Sequence, residues 1–488
     1  MPATTSGPIP AMASPAPVAT AALTLSRGAH DPQAQLPHVV IFPFMSKSHT
    51  IPLTHLAHLL RRRQLAAVTF LTTPANALPI TDQPAPGVVP PGMESIEALD
   101  SPSSLPAFVD AVSLLRPRFE EALAAMRPPA SAVVADAFLY WAHAAGAALG
   151  VRTLAFFGAN MFAHVVREVC LRENPTAMLT GGGGSDAVFT VPEFPHVQLA
   201  LADIPAPFND PATTWPIREM DAKLGRVIAD SHGLIVNTFD AMEGHYIEYW
   251  NRNIGPRAWP VGPLCLARST SVLNNGIKPS WIQWLDEKVV AGRAVLYVAL
   301  GTFVAVSDAQ LREVANGLDQ SRLDFLWALR PVDADLGMDF EERVQEKGKV
   351  VREWVDQSAI LQHKCVKGFL SHSGWNSVLE SISAGVPLAV WPMGAEQPLN
   401  AKMVVDELKI VIRVSTKDNT TSGLVRSKEI ARVTSELMIG KEGAEVSKNM
   451  ASMANKAQEA VAEGESSWRA VEELILTLGA TSRGCVDV

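Results

Sequence analysis

Cysteine is scarce in this chain of 488 residues, and positive charge is in deficit. The four cysteines lie far apart and form no CxxC pair, which excludes a disulfide framework and a zinc knuckle and fits a reducing compartment. They are Cys170, Cys265, Cys365 and Cys485. Lysine and arginine total 41 against 50 aspartates and glutamates, for a formal net charge of -9. That balance argues against a nucleic-acid partner, which would need a basic face for phosphates.

Long apolar runs are also missing. The longest charge-free apolar stretch, residues 137–151, is shorter than the roughly 20 residues that a bilayer span needs, so we expect no membrane span. Residues 1–36 carry almost no charge and are rich in alanine, proline, threonine and serine, which predicts a disordered leader. A plastid transit peptide stays open as an alternative. Arg27 is the only arginine of the leader, however, and we favour a plain extension on a cytoplasmic protein.

Short apolar runs alternate with longer stretches of helical periodicity along the chain. Most of these runs are almost continuously apolar, which is typical of parallel strands that are covered on both faces. With helices between them, the runs predict βαβ connections and an α/β fold. The predicted strands are 38–44, 67–73, 132–136, 153–157, 233–239, 294–300, 324–330, 350–354, 366–371, 386–391 and 410–414.

A break in this alternation divides the chain into two halves. Glycine, proline and tryptophan cluster at 255–263, and a polar stretch follows them, which we interpret as an interdomain linker. Each half has enough strands for its own doubly wound sheet, and two such domains face to face leave a cleft at the carboxyl ends of their strands. We predict a leader (1–36), an N-terminal Rossmann-like domain (37–262), a linker (263–290), a C-terminal Rossmann-like domain (291–475) and a tail (476–488).

The most informative segment is 354–397. In it the predicted strand 366–371 leads through a short turn into a helix. Backbone N–H groups at the start of a helix are unpaired and carry partial positive charge, so this turn is an anion site for which phosphate is a natural ligand. His372 and Ser377 can donate hydrogen bonds to the same oxygens. Glu380, one turn further on, would repel phosphate but suits a pair of ribose hydroxyls.

This segment of 44 residues resembles the signature of the plant secondary-product UDP-glycosyltransferases, which glycosylate small metabolites. Gly-Trp-Asn-Ser at 374–377, Gly-Val-Pro at 385–387 and the closing acid–glutamine pair are in register. The resemblance covers about residues 38–475 and implies a GT-B fold, in which two Rossmann-like doubly wound domains face each other across a cleft. It also implies that domain 37–262 binds the acceptor and domain 291–475 binds the UDP-sugar. The family usually has cysteine where this chain has Ser373, which keeps a small polar residue.

The resemblance also implies roles for individual residues. Trp354 would stack on uracil, the backbone of Val355 would meet the uracil edge, and Gln357 and Glu380 would hold the ribose. A core position is the alternative for Trp354. The other implied UDP-binding residues are Thr302, His372, Gly374, Asn376 and Ser377. The implied sugar-binding residues are Glu396, Gln397 and, through its backbone alone, Trp375.

Glycosyl transfer to a hydroxyl needs a base near neutral pH, and histidine titrates in that range. His49 follows the first predicted strand, and we expect it on the loop at that strand's carboxyl end, where the family has its base histidine. Ser48 replaces a family glycine and would be strained if the loop required a positive φ. Asp136 ends another strand and matches the family's partner aspartate, although a helix cap is the alternative. His55 and His58 have no third ligand in view and are predicted to be surface or packing residues, not a metal site.

The predicted reaction is a single displacement that inverts the anomeric carbon. No Asp-x-Asp motif occurs where a manganese-bound diphosphate would require one, so we expect neither a metal nor another cofactor, with the helix start taking the place of the metal. By resemblance Gln397 favours glucose as the transferred sugar. Gly158 lacks the hydroxyl that many relatives place near the sugar, and Asn160 is the candidate substitute.

The predicted partners are UDP-glucose or a related UDP-hexose and a small hydrophobic hydroxylated acceptor such as a flavonoid, another phenolic or a terpenoid. We expect the chain to act as a monomer. A catalytically silent nucleotide-sugar or metabolite-binding protein of the same fold is the main alternative. A dinucleotide oxidoreductase would need a glycine fingerprint after the first strand, and residues 45–49 have none.

Overall fold

A computed structural model describes most of the chain between residues 36 and 479. The described residues are 36–73, 76, 95–99, 104–181, 187–205, 208–209, 215–268, 278–301, 306–330, 334–415 and 423–479. The predicted leader up to residue 35, the candidate donor-site residue Thr302 and the tail from residue 480 lie outside them. None of the helices in these ranges combines the length and the apolar character that a bilayer crossing requires.

The first sheet has six parallel strands in the order β2-β1-β3-β4-β7-β8. The strands of this half, including a small antiparallel β5–β6 pair, are β1 His38–Phe42, β2 Ala67–Phe70, β3 Ala132–Asp136, β4 Arg152–Phe156, β5 Phe189–Thr190, β6 Gln198–Leu199, β7 Leu234–Val236 and β8 Ala258–Pro260. Its α-helices are α1 Lys47–Arg62, α2 Leu105–Val112, α3 Arg116–Ala125, α4 Tyr140–Ala148, α5 Met161–Glu173, α6 Pro175–Thr180, α7 Trp215–Asp230 and α8 Asp240–Asn253.

The second sheet also has six parallel strands, in the order β11-β10-β9-β12-β13-β14. Its strands are β9 Val295–Ala299, β10 Asp324–Ala328, β11 Gly348–Val351, β12 Val366–Ser371, β13 Leu388–Val390 and β14 Val411–Arg413. The α-helices of this half are α9 Ser280–Val290, α10 Asp308–Ser321, α11 Phe340–Val344, α12 Gln357–Leu361, α13 Trp375–Ala384, α14 Gln397–Asp406, α15 Ser427–Ile439, α16 Lys441–Ala460 and α17 Ser466–Gly479.

Burial on both faces explains the continuous apolar runs. In β1, Val39 and Ile41 belong to one hydrophobic cluster, whereas Val40 and Phe42 belong to the cluster on the opposite face. Successive side chains of a strand point to opposite faces, so a strand covered on both sides has no polar position to alternate with. Every predicted run overlaps a strand of the structure. The edge strand β8 and the β5–β6 pair were not predicted.

The last helix returns to the first sheet. In α17, Val471 and Leu474 share a hydrophobic cluster with β1 residues, and the Ser467 hydroxyl donates to the Gly262 carbonyl over 2.6 Å. Arg63, directly after α1, pairs with Glu472 at 2.7 Å. These contacts show that the chain crosses from the second half back to the first. The predicted domain boundary at residue 475 falls inside this helix.

Each sheet has a point where the strand order reverses, between β1 and β3 in the first and between β9 and β12 in the second. Ligands of open α/β sheets bind at the carboxyl ends of strands at such points. The two points face each other. The Asn376 side-chain amide, just after β12, donates to the Ser48 carbonyl, just after β1, over 2.6 Å.

Candidate active site

His49 lies at the start of a helix, not on the preceding loop as predicted. The loop after β1 is only four residues long, and α1 begins at Lys47 with Ser46 as its N-cap. His49 is therefore the third residue of α1, still at the carboxyl end of β1. The backbone of Ser48 is helical and its φ is not positive. The serine is therefore not strained, and it does not disturb the placement of the neighbouring histidine.

A short hydrogen bond joins His49 to Asp136. Nδ1 of His49 lies 2.6 Å from Oδ2 of Asp136, which is the last residue of β3 and fully buried. The other carboxylate oxygen accepts from the backbone N–H of Phe138 at 3.1 Å. The carboxylate thus holds the turn that follows β3 and also orients the imidazole. With Nδ1 engaged by Asp136, Nε2 is the nitrogen that can take a proton from a substrate.

The surroundings of His49 raise its pKa above the ordinary value of 6.5. Burial opposes the charged form, but the Asp136 charge, the Asp136 hydrogen bond and the charges of Glu396 and Glu97 together outweigh it. The rings of Phe44 and Phe138 stand edge-on to the imidazole at centroid distances of 5.8 and 5.6 Å. An imidazole that is fixed, largely shielded from water and paired with a carboxylate has the properties of a general base.

Across the cleft lies the turn from β12 into α13, where the sequence predicts an anion site. Ser373 is buried, has φ of +65°, and its hydroxyl has no hydrogen-bond partner among the described residues. The His372 ring packs against two glycines: a Cβ on Gly301 would lie 2.8 Å from the ring, and one on Gly374 would lie 2.5 Å from it. Burial lowers the pKa of His372 to about 4, so it is a neutral hydrogen-bonding group at pH 7.

The predicted ribose-binding residues form one hydrogen-bonded group. The Gln357 side-chain amide donates to Glu380 over 2.6 Å and to the Ser377 hydroxyl over 3.0 Å. Burial raises the pKa of Glu380 to about 7, opposed by the Gln357 hydrogen bond. A carboxyl group held near its titration point in a closed site can accept from or donate to a sugar hydroxyl.

The predicted uracil platform, Trp354, is open to solvent. The residue is 53% exposed, which argues against the alternative of a core position. Lys47 Nζ lies 4.0 Å and Arg330 Cζ 5.0 Å from its ring centroid, so a stacked base would move one of these cations aside. The Val355 side chain is buried, which leaves only its backbone for a ligand.

Replacing Trp354 with alanine should weaken UDP binding by about tenfold to a hundredfold, because base–aromatic stacking contributes about 1–3 kcal/mol. Trp354→Phe keeps an aromatic face and should retain most of the affinity. Calorimetric titration of UDP into both variants checks this. Unchanged UDP affinity in Trp354→Ala would show that the uracil ring does not stack on Trp354.

The predicted sugar-binding residues differ in how many of their hydrogen-bonding groups are already engaged within the protein. Gln397 is buried, and its carbonyl oxygen accepts from the backbone N–H groups of Met393 and Gly394 at 2.8 and 3.0 Å, which leaves its NH₂ group for a ligand. Glu396 is the N-cap residue of α14, and burial raises its pKa. The Trp375 ring is buried, and its N–H donates to the Asn237 carbonyl over 2.8 Å, so it packs between the two halves.

The prediction that Asn160 replaces the missing hydroxyl at Gly158 is wrong. Asn160 is fully buried at the N-cap of α5, and its side-chain oxygen accepts from the Ala163 N–H over 2.6 Å. Its NH₂ group donates to Asn400 over 3.0 Å, and Asn400 in turn donates to the Ser373 carbonyl over 2.9 Å. Asn160 therefore ties the first half to the anion-site turn, and its side chain is fully buried, away from any bound sugar.

Two residues that support the His49–Asp136 pair (the dyad) and the anion-site turn were not predicted from the sequence. Glu97 accepts from the Lys47 backbone N–H over 2.7 Å and from the Ser46 hydroxyl over 3.1 Å, so it caps the helix that carries His49. Asn400 makes the interdomain bond to Asn160. Glu97 sits in a segment without periodicity and no local signal identifies it, whereas Asn400 lies three residues beyond the recognised signature.

An Asp-x-Asp triplet occurs at 333–335. Its second aspartate, Asp335, lies within the described residues and has a structural role. Asp335 pairs with Arg312 and accepts from the Gly337 N–H over 2.8 Å. Its side chain is 56% exposed, so it is an ordinary surface ion pair with a turn-capping hydrogen bond.

Known proteins resemble this chain in sequence and in overall structure. The family model described as UDP-glucoronosyl and UDP-glucosyl transferase matches residues 283–431. UDP-glycosyltransferase 90A1 of Arabidopsis thaliana is 39% identical over 464 residues, 90% of this chain and 96% of that protein. Anthocyanin 3'-O-beta-glucosyltransferase of Gentiana triflora is 32% identical over 480 residues, 90% of this chain and 98% of that protein. The crystal structure of Glycyrrhiza uralensis UGT73P12 with glycyrrhetinic acid 3-O-monoglucuronide matches with a TM-score of 0.79 at 28% identity, covering 91% of this chain and 96% of that one.

Proposed function

The chain belongs to the plant secondary-product UDP-glycosyltransferase family, and on that premise we propose that it transfers glucose from UDP-glucose to a hydroxyl of a hydrophobic plant metabolite, with inversion. It is a UDP-glycosyltransferase of GT-B fold, as predicted from the sequence. The observation that carries the proposal is the His49–Asp136 pair at one rim of the cleft, opposite the anion-site turn at 372–374.

The chemistry of the dyad supports a base-assisted displacement. An acceptor hydroxyl that approaches from the first domain meets Nε2 of His49, which takes its proton as the oxygen attacks the anomeric carbon. Asp136 stabilises the resulting imidazolium through the 2.6 Å contact at Nδ1. The sugar–phosphate bond breaks on the opposite face, so an α-linked donor gives a β-glycoside. The name of the Gentiana triflora relative, a beta-glucosyltransferase, is consistent with that outcome.

The departing diphosphate needs positive charge or hydrogen-bond donors. We propose that the start of α13, the neutral His372 and the hydroxyl of Ser377 supply them, without a metal or another cofactor. Helix N-termini bind phosphate through unpaired backbone N–H groups, and fixed dipoles stabilise the developing charge without reorganising. The unpaired Ser373 hydroxyl, buried in the same turn, adds a donor that is not committed elsewhere among the described residues.

Glucose as the transferred sugar is supported by Gln397. Two backbone N–H groups donate to its carbonyl oxygen and fix the side chain, and its NH₂ group is left to donate to a sugar hydroxyl. The acceptor class is supported by apolar rings around His49, namely Phe44 and Phe138, and by relatives whose names include anthocyanin, flavonoid and scopoletin glucosyltransferases. By resemblance we expect two loops of the first domain, 77–91 and 179–195, to form the acceptor pocket. The first lies entirely outside the described residues, as do residues 182–186 of the second.

A mass-spectrometric screen of mixed phenolics and terpenoids tests the substrate proposal. Each mixture is incubated with UDP-glucose, UDP-galactose or UDP-glucuronate. We expect hexose adducts on phenolic or terpenoid hydroxyls with UDP-glucose and much weaker products with the other two donors. Preferred use of UDP-galactose or UDP-glucuronate would overturn the donor assignment, and the absence of any product would overturn the acceptor class.

We also propose that the enzyme acts as a monomer in the cytoplasm. Both sides of the cleft come from one chain, so no second copy is needed to complete the site. Cys170, Cys265 and Cys365 are free thiols, which suits a reducing compartment. Size-exclusion chromatography with light scattering measures the mass in solution and so tests whether the enzyme is a monomer.

A further inference from the structure

Two histidines and a glutamate converge away from the dyad, on the seam between the two domains. His196 lies on the turn between β5 and β6, and His245 lies on α8, both in the first domain. Glu407 follows α14 directly, in the second domain. We call these three residues the His-Glu cluster. The mechanism above uses none of them.

The ligating atoms of the cluster are close enough to share one ion. Nε2 of His196 lies 3.8 Å from one Glu407 carboxylate oxygen, and Nε2 of His245 lies 3.8 Å from the other. All the candidate ligand atoms lie within 4.8 Å of one another. Two ligands of a tetrahedral zinc ion stand about 3.4 Å apart, so small side-chain rotations complete the geometry. The histidines are 56% and 49% exposed, which leaves room for those rotations and for the ion to enter.

Neighbouring aromatic residues hold the cluster in position. The buried Tyr246 hydroxyl donates to Glu407 and fixes the carboxylate between the two imidazoles. The Phe194 ring stands edge-on to His196 and His245, at centroid distances of 6.2 and 6.0 Å. Hydrogen bonds and packing that orient ligands in this way are a general feature of metal sites. The site is therefore largely preformed without the ion.

The cluster lies beside other contacts that join the domains. Asp203 of the first domain pairs with Arg413 at 3.1 Å and with Lys402 at 3.4 Å, both in the second. These pairs already hold this edge of the seam together. An ion shared by His196, His245 and Glu407 would add a cross-link at the same edge.

We propose that the His-Glu cluster binds a zinc ion that links the two domains. Imidazole nitrogens with a carboxylate are a ligand set that suits zinc, and water completes the fourth position. The proposed transfer reaction uses none of these three residues, so the ion has no part in it. The proposal is independent of the donor and acceptor assignments.

Calorimetric titration of Zn²⁺ into tag-free, chelator-treated full-length protein at pH 7.5 tests the site. We expect one ion per chain with a dissociation constant of about 10 µM or tighter. Co²⁺ should give visible absorption bands as a second readout. His196→Asn and His245→Asn should each weaken Zn²⁺ binding at least about tenfold, since each removes one of three ligands. His232→Asn, a change at an exposed histidine of the same domain, is the matched control and should bind as the wild type does.

Glu407→Gln tests whether the ion spans both domains. Glutamine keeps an oxygen that can accept from Tyr246, so the fold should persist, which circular dichroism verifies. We expect Zn²⁺ affinity to fall at least about tenfold and the Zn²⁺-induced rise in melting temperature to disappear. Full affinity in this variant, or in the two histidine variants, would overturn the proposal, as would the absence of binding to the wild type at 100 µM, roughly ten times the expected constant.

Discussion

His49→Ala should abolish glycosyl transfer while leaving UDP binding intact. Removal of a general base costs about 10²- to 10⁴-fold in rate, and His49 is the imidazole that Asp136 holds at the rim of the acceptor side. The proposed nucleotide contacts all come from the second domain, so the dissociation constant for UDP should change by less than about twofold. Steady-state turnover with a phenolic acceptor and calorimetry with UDP measure the two quantities on one preparation.

The control for this experiment is His232→Ala, a replacement of an exposed histidine in the same domain. It should keep wild-type turnover, which shows that loss of a histidine does not by itself disable the enzyme. Undiminished transfer to an unactivated hydroxyl by His49→Ala would refute the base assignment. Loss of UDP affinity together with turnover would mean that the substitution disturbs the cleft as a whole.

Asp136→Asn should lower turnover by about 10²- to 10⁴-fold and also change its pH dependence. The imidazolium formed during proton transfer loses its counter-charge, and the amide no longer fixes the tautomer that presents Nε2 to the acceptor. The Asp136 charge contributes to raising the pKa of His49. Only neutral His49 can accept a proton, so wild-type activity falls as pH drops through that raised pKa. Without the carboxylate the pKa falls, and the acidic limb moves to lower pH.

The pH profile of kcat/KM separates a positioning role from a structural one. A variant that merely loses stability would show reduced activity with an unmoved acidic limb. Asp335→Asn is the matched control, since its carboxylate pairs with Arg312 on the surface and should leave both rate and profile unchanged. Wild-type turnover by Asp136→Asn would contradict the dyad.

The strands were predictable from local patterns in the sequence, and the pairing of His49 with Asp136 from the family resemblance together with the positions of the strand ends. Continuous apolar runs mark strands that are buried on both faces. The carboxyl ends of parallel strands meet at one sheet edge, which brings His49, shortly after β1, to Asp136, at the end of β3, across 87 positions. β8 was missed because it is three residues long, ends in Pro260 and lies at the sheet edge. An edge position tolerates the missing N–H of proline, so a composition typical of a loop conceals a strand.

Features that depend on contacts between distant segments were not predictable. Asn160 looks from the sequence like a free polar residue beside a strand end, yet helix capping and the bond to Asn400 use its hydrogen-bonding groups. His49 was placed on a loop because no local signal fixes the first residue of α1. Glu97 caps that helix from 50 positions away. The His-Glu cluster likewise joins residues whose proximity only the packed domains create.

Calorimetric titration of UDP into the wild-type protein examines the donor site directly. With the described arrangement of Trp354, Gln357 and the turn at 372–374, one UDP should bind per chain, and the affinity should fall in Trp354→Ala. If the folded protein gives no binding heat with UDP at any temperature tried, and UDP does not displace a bound UDP-sugar, then the second domain does not hold a uridine nucleotide, and the assignment of this cleft is wrong.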